Sequence, residues 1–394
     1  AGTNGKGSTA ALLASMATAA GYRTGLYTSP HLESVEERLR IDGRAISTER
    51  LTAIVAAVVA AAESRLGYLP TYFEALTSAA CLWFAQESVD LAVLEVGLGG
   101  RLEDTNGTEP VLSLITEIGL EHQNYLGRTL SKIAGEKARI MRRGRDAVAW
   151  VERQEARAAI QSVADEIDAL LVWGPDIASV EALQMVGREK QVFRLSTPGF
   201  QQEVALPLLG EHQGVNLALA ALGAEALERQ GMRRLHSEAI AQGVARTRWP
   251  GRLEWVTPAG SNPWLLDVAH NPDGAATLGR ALDQIPGSFT LVFGALADKQ
   301  VQAVLPNLAS RADRVILTSP ASDRALAPEA LAGLLQGTQI SIEPDRVAAV
   351  DAALDQTSDF TLVCGSVYLV GEMRIELRRR FGIPPPATQN LSPE

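Results

Sequence analysis

Cysteine is almost absent: two residues in 394, Cys81 and Cys364, each inside an apolar run. That excludes a disulfide scaffold and a thiolate zinc site, and it suits a reducing compartment. Long hydrophobic runs are absent too. The longest, Leu51 to Ala62, is too short to span a bilayer and continues into Glu63 and Arg65. No signal-peptide pattern occurs, so the expectation is a cytoplasmic protein with no membrane partner. Positive charge is in deficit: 36 Lys and Arg against 46 Asp and Glu leave a net charge of −10. A field of that sign argues against nonspecific nucleic-acid binding. Any anionic ligand must then be held by a local positive site. What remains is an ordinary globular composition, 46% hydrophobic, in a chain long enough for two or three domains.

The local positive site is at the start. Ala1-Gly2-Thr3-Asn4-Gly5-Lys6-Gly7-Ser8-Thr9 leads into an Ala-rich stretch that stops at Gly21. A glycine-rich turn opening a helix cradles phosphate, because its backbone N–H groups approach closely and the helix end adds partial positive charge. Lys6 reaches for terminal phosphates and Ser8 offers a hydroxyl to Mg²⁺. The spacing is shorter than the common nucleotide loop, and a flexible Gly-rich helix cap is the bland alternative. Such loops follow a buried strand, so an upstream segment carrying the first strand is expected.

Downstream, strands alternate with helices. Arg23 to Tyr27 reads as a strand, Ser47 to Leu66 as a helix with a Ser N-cap, and Thr71 to Glu87 as another helix. Leu91 to Val96 reads as a fully buried strand, Val111 to Ile115 and Ala147 to Val151 as further strands, and Ser131 to Met141 as a helix. Gln191 to Leu206 shifts to short alternating strands, and Asn216 to Gln230 is helical. After a composition break at Arg246–Arg252 the alternation restarts, with strands near 264–268, 290–294, 314–318 and 360–364. The fold class is α/β: a P-loop-type, mostly parallel sheet domain with a small antiparallel insert, then a smaller Rossmann-like domain. The expected bounds are 1–245 and 246–383, with 384–394 a disordered tail.

Several polar residues fall at strand ends, where open α/β sheets bind ligands. Glu95 closes an apolar strand ahead of Gly97-Leu98-Gly99-Gly100-Arg101; beside a phosphate loop it reads as a Mg²⁺ ligand rather than a solvent-facing carboxylate. His122 occupies the same edge, although a lone histidine is usually structural. Lys137 reads, on residues alone, as a helix-surface lysine paired with an acid. Asp267 and His270 follow a second buried strand, where an Asx-type cap by Asn271 or Asp273 is the alternative. Two such strand-end sites point to a ligand held between two domains.

Taken together, Gly2–Ser8, Tyr27–Leu32, Tyr72–Glu74, Glu95–Leu102, Gly119–His122, Glu136–Ala138, Gly210–Gln213 with Asn216, Pro250–Glu254, Leu266–Pro272 and Gly365–Gly371 closely resemble one family. It is the folylpolyglutamate synthase and dihydrofolate synthase family of Mur-ligase-type, ATP-dependent amide ligases. Each stretch is weak alone; their order and spacing are specific. The resemblance implies ligation of L-glutamate to a folate, with dihydropteroate left open as a second acceptor, through an acyl phosphate in a monomer. It implies ATP phosphates on Gly5, Lys6, Gly7 and Ser8, further ATP contacts from Asn216, Arg252 and Asp267, and one or two Mg²⁺ ions on Ser29, Glu95 and His122. Lys137 matches a lysine carried as a carbamate, and it joins Lys6 and His270 as catalytic. Tyr72, Phe73, Glu74, Leu102, Glu103 and Asp104 match the pterin-side pocket. Glu121 and Glu103 stand where the family usually has aspartate, and Val268 where it has glycine. The rival expectations are another Mur-type amino-acid ligase and a noncatalytic nucleotide-binding relative.

Overall fold

The computed structural model describes residues 1–101, 103–336, 339–355 and 357–383; Leu102 and the 384–394 tail lie outside them. The opening helix, Lys6–Ala19, is buried on nearly every face. Its small residues make this workable. Helix Ser237–Arg246 lies so close that a Cβ on Gly243 would sit 2.3 Å from the Met16 Cα. On its other flank packs helix His212–Arg229, itself almost wholly buried. The helix expected over 47–66 runs Thr48–Leu66, with the Ser47 hydroxyl accepting the Arg50 N–H. The next runs Tyr72–Gln86 behind a Thr71/Glu74 capping box.

In the N-terminal half the described strands pair in two groups. Strand Thr24–Tyr27 pairs in parallel with Leu91–Leu94 and antiparallel with Leu39–Ile41, which in turn pairs with Arg44–Ala45. Strands Leu112–Ile115, Asp146–Ala149 and Leu170–Trp173 form a separate parallel sheet. The Leu91–Leu94 and Leu112–Ile115 edges face each other across a lane of about 640 Å³. Leu91–Leu94 presents an edge to this lane, and Ala92 is exposed. Ala1 lies in the lane, its backbone nitrogen donating to the Leu114 carbonyl at 2.8 Å and its carbonyl accepting the Thr116 N–H at 2.9 Å.

The antiparallel insert is larger than expected: it begins at Ser179 and runs Ser179–Val186, Lys190–Ser196, Gln201–Leu206. The C-terminal half is one six-stranded sheet, in the order Glu254–Val256, Trp264–Leu266, Phe360–Cys364, Phe289–Phe293, Arg314–Leu317, Ile340–Ile342. All its pairs are parallel except the first. Apolar clusters cover both faces of that sheet, which explains its continuous Leu, Val, Ile and Phe runs. No described helix is long and apolar enough to cross a membrane.

Candidate active site

The opening turn is clamped before any ligand arrives. Thr3 N–H donates to the Glu117 carbonyl at 2.9 Å, and its hydroxyl donates to the Gly119 carbonyl and accepts the Gly119 N–H at 3.0–3.1 Å. The Thr116 hydroxyl donates to the Asn4 carbonyl at 2.7 Å. Gly5, at φ 84°, ends the turn and caps the helix without a side-chain partner for its first-turn N–H groups. A Cβ there would lie 2.2 Å from Asn216 Oδ1, so Asn216 rests directly on the turn. Its amide is fixed by donation to Gln213 Oε1 at 2.9 Å. No acid lies in the first turn, so the helix end remains a bare anion cradle.

Two lysines converge on that cradle. Lys6 Nζ donates to the Gly2 and Thr3 carbonyls at 3.0 Å, and Lys137 Nζ donates to the same Gly2 carbonyl at 2.6 Å. Lys137 is not the surface lysine its own sequence neighbourhood suggests; it is 2% exposed. Burial, and then the nearby Lys6 charge, push its amine down to about 7, with Glu121 opposing. Glu121 is the reverse case. Burial disfavours its charge, but the His122 hydrogen bond and the Lys6 and Lys137 fields hold it down at about 2.

Glu95 lies at the same edge, 7% exposed, accepting the Ser29 N–H at 3.1 Å. Burial raises its pKa; Lys6, the Ser29 hydrogen bond and Arg252 pull it back. Ser29 and Glu95 are thus brought together. His122 is not joined to them: it pairs with Glu121 at 3.3 Å. Among the described residues no three His, Cys, Asp or Glu side chains form a ready-made metal cluster.

The C-terminal half supplies the opposing wall. Asp267, buried, accepts the Leu253 and Ala269 N–H groups, each at 2.9 Å. Burial raises its carboxyl and Arg252 lowers it; Arg252 is itself lowered by burial, with Asp267 and Glu95 opposing. Arg252 therefore feels a carboxylate from each half. His270 places Nδ1 2.8 Å from the Val268 carbonyl, which makes Nδ1 the donor. Burial pushes its ring down to about 4. Asn271 does cap the following helix, accepting the Gly274 N–H at 2.7 Å, and its amide also donates to Asn4 Oδ1 at 3.1 Å. That direct tie between the halves was not foreseen from sequence, since neither asparagine has a local signal for it.

A second group lies beyond Glu95. Tyr72 is 59% exposed with the Arg38 guanidinium 5.4 Å from its ring centroid. Phe73 packs against Gly97, where a Cβ would come within 2.3 Å of its Cζ. Glu74 serves the capping box of its own helix. Glu103 is spent on bracing the loop: it accepts the Gly97 N–H at 2.9 Å, the Thr105 N–H at 2.8 Å and the Thr105 hydroxyl. Asp104 is raised by partial burial and by neighbouring Glu103 and Glu74. Of these, Tyr72 and Asp104 are the side chains left available.

A phosphate cradle with converging lysines, facing an arginine and an aspartate from a second α/β half, defines a nucleotide-dependent enzyme that works between two lobes. Residues 1–224 match the Mur ligase middle domain and residues 251–367 the Mur ligase glutamate ligase domain. The chain belongs to the Mur ligase family and, within it, to the folylpolyglutamate synthase/dihydrofolate synthase group. It is similar to the dihydrofolate synthase/folylpolyglutamate synthase of Bacillus subtilis, 34% identical over 96% of this chain and 89% of that one. It is 35% identical to the folylpolyglutamate synthase of Lacticaseibacillus casei, over 95% and 88% of the two chains. The Mycobacterium tuberculosis folylpolyglutamate synthase, solved with ADP and AMPPCP, superposes with a TM-score of 0.85 at 33% identity, covering 98% and 90%. The protein is an ATP-dependent acid–amino-acid ligase.

Proposed function

We propose that this ligase joins the amino group of L-glutamate to the carboxylate of a folate, and of dihydropteroate too, driven by ATP. One observation carries the reading: Lys6, Lys137 and Glu95 gather at the Gly2–Ser8 turn, and the fields of Arg252 and Glu95 meet across the two halves. A carboxylate is a poor acyl donor because its leaving group would be oxide. Attack of its oxygen on the γ-phosphorus forms a C–O–P link and breaks the bond to ADP. The glutamate nitrogen then adds to the acyl carbon and gives up a proton, and phosphate departs.

The chain's residues divide this work. First-turn N–H groups at Gly5, Gly7 and Ser8, with the Lys6 ammonium, offset charge on the phosphoryl oxygens. Asn216, Arg252 and Asp267 hold the nucleotide, with Asp267 orienting the arginine. His270 stays neutral near pH 7 with Nδ1–H committed to Val268, leaving Nε2 to accept the proton of the incoming amine. Glu95 and Ser29 are the residues that would hold magnesium, which neutralises phosphoryl charge when bound; His122 would join them only on leaving its Glu121 partner. They fit it: magnesium is usually bound through one or two carboxylates plus phosphates and water, so no prebuilt cluster is needed, and a cation would favour the ionised form of buried Glu95.

Lys137 fits a carbamate for a related reason. An amine held at about 7 is substantially neutral at physiological pH, and its lone pair can add to the carbon of CO₂ with loss of one proton. The remaining N–H keeps the Gly2 carbonyl as acceptor. Tyr72, Phe73, Glu74, Glu103 and Asp104 form the pterin-side pocket. We take the protein as a monomer, with 1–245 and 246–383 as its two domains. The test is ADP release with dihydropteroate and with tetrahydrofolate as acceptors, each with and without glutamate. Release should require acceptor and glutamate together and vanish in Lys6→Ala; release independent of both refutes the reading.

A further inference from the structure

The loop carrying Ser29 continues into the C-terminal half. Leu32 packs with the apolar cluster that includes Val268, Leu369 and Val370. Gly371, on helix Val367–Phe381, approaches so closely that a Cβ would lie 1.8 Å from the Leu32 carbonyl oxygen. One residue on, Glu33 pairs with Arg374 and Arg378 of the same helix, the latter donating from Nη1 at 2.8 Å. Arg374 also donates to Glu254 through Nε and Nη2 at 2.9–3.0 Å. Glu254 in turn accepts the Gly251 N–H at 2.8 Å, immediately before Arg252. A continuous polar chain thus runs from the Ser29 loop to the Arg252 turn.

Its members are costly to bury. The side chains of Arg374 and Glu33 are 8% and 10% exposed. Two carboxylates balance two guanidiniums, and buried pairs of this kind add little net stability while fixing geometry closely. Glu37 rigidifies the near end by accepting the Leu32, Glu33 and Ser34 N–H groups at 3.1–3.2 Å. We propose that Glu33, Arg374 and Glu254 form an interlobe latch that sets Arg252 against Ser29 and Glu95, with Arg374 as a positioning residue for ligation. This deepens the ligase reading and rests on it for the kinetic outcome only.

Closure that assembles the site also excludes water from the acyl phosphate. A loosened latch therefore lowers turnover and raises ADP released per glutamate incorporated. The experiment is Glu33→Gln in the full chain. The expected result is about a tenfold fall in kcat with a smaller change in KM for ATP, a raised ADP-to-product ratio, and partial rescue by Glu33→Asp. Amide exchange supplies a readout independent of chemistry: Gly251 N–H, three links from the substitution, should exchange several-fold faster. If Glu33→Gln does not fold, Arg378→Gln at the rim of the network is measured the same way, with smaller shifts in the same directions. Unchanged Gly251 exchange together with an unchanged coupling ratio in a folded variant overturns the latch. If the parent enzyme shows no acceptor-dependent ADP release, the ligase reading fails and the exchange data still decide the latch.

Discussion

Lys137→Met separates what the buried amine does for activity from what it does to stability. The gap between its ordinary 10.5 and about 7 corresponds to roughly 5 kcal/mol between charged and neutral forms. At pH 7 the unfolded chain holds this proton and the folded chain half releases it, so the fold is penalised by roughly 4 kcal/mol. Methionine has similar length and no charge to desolvate. It forfeits one hydrogen bond to the Gly2 carbonyl, about 1 kcal/mol. In bicarbonate-free buffer at pH 7 the variant should therefore be more stable by about 2–3 kcal/mol. The sign follows from the lowered pKa of a base: the parent's stability rises with pH between about 7 and 10.5, and the variant's advantage fades over that window. Urea unfolding at several pH values measures both. Ligase activity should fall at least a hundredfold in the same variant, and added bicarbonate should stabilise only the parent. A variant less stable at pH 7, or a difference that ignores pH, refutes the account of Lys137 as a buried, destabilising functional amine.

Two further substitutions probe the cradle and the neighbouring pocket. Gly5→Ala combines a left-handed backbone angle with a clash against Asn216 Oδ1, so calorimetry should find ADP affinity reduced at least tenfold with the overall circular dichroism retained. Thr71→Ala removes the hydroxyl that accepts the Glu74 N–H and caps that helix, which should lower stability by about 1 kcal/mol in denaturant unfolding.

The residues whose conformation depends on near neighbours were legible without coordinates. Ser47 and Thr71 start their helices because a hydroxyl accepts an N–H three residues on. Asn271 caps for the same reason. The opening glycines announce a phosphate turn because few other residues tolerate its angles. Other features were not legible, because their causes lie far along the chain. Lys137 looks like a surface lysine until the Gly2 turn, 135 residues away in sequence, meets its amine in a buried site. The tie from Asn271 to Asn4 and the run from Glu33 through Arg374 to Glu254 have no local signature either. Sequence by itself determined the helices, the turn and the class of chemistry, since hydrogen bonds within four residues and the apolar period set them. Tertiary structure alone decided which charges are buried, paired or shifted, because desolvation and Coulomb fields depend on what lies nearby in space.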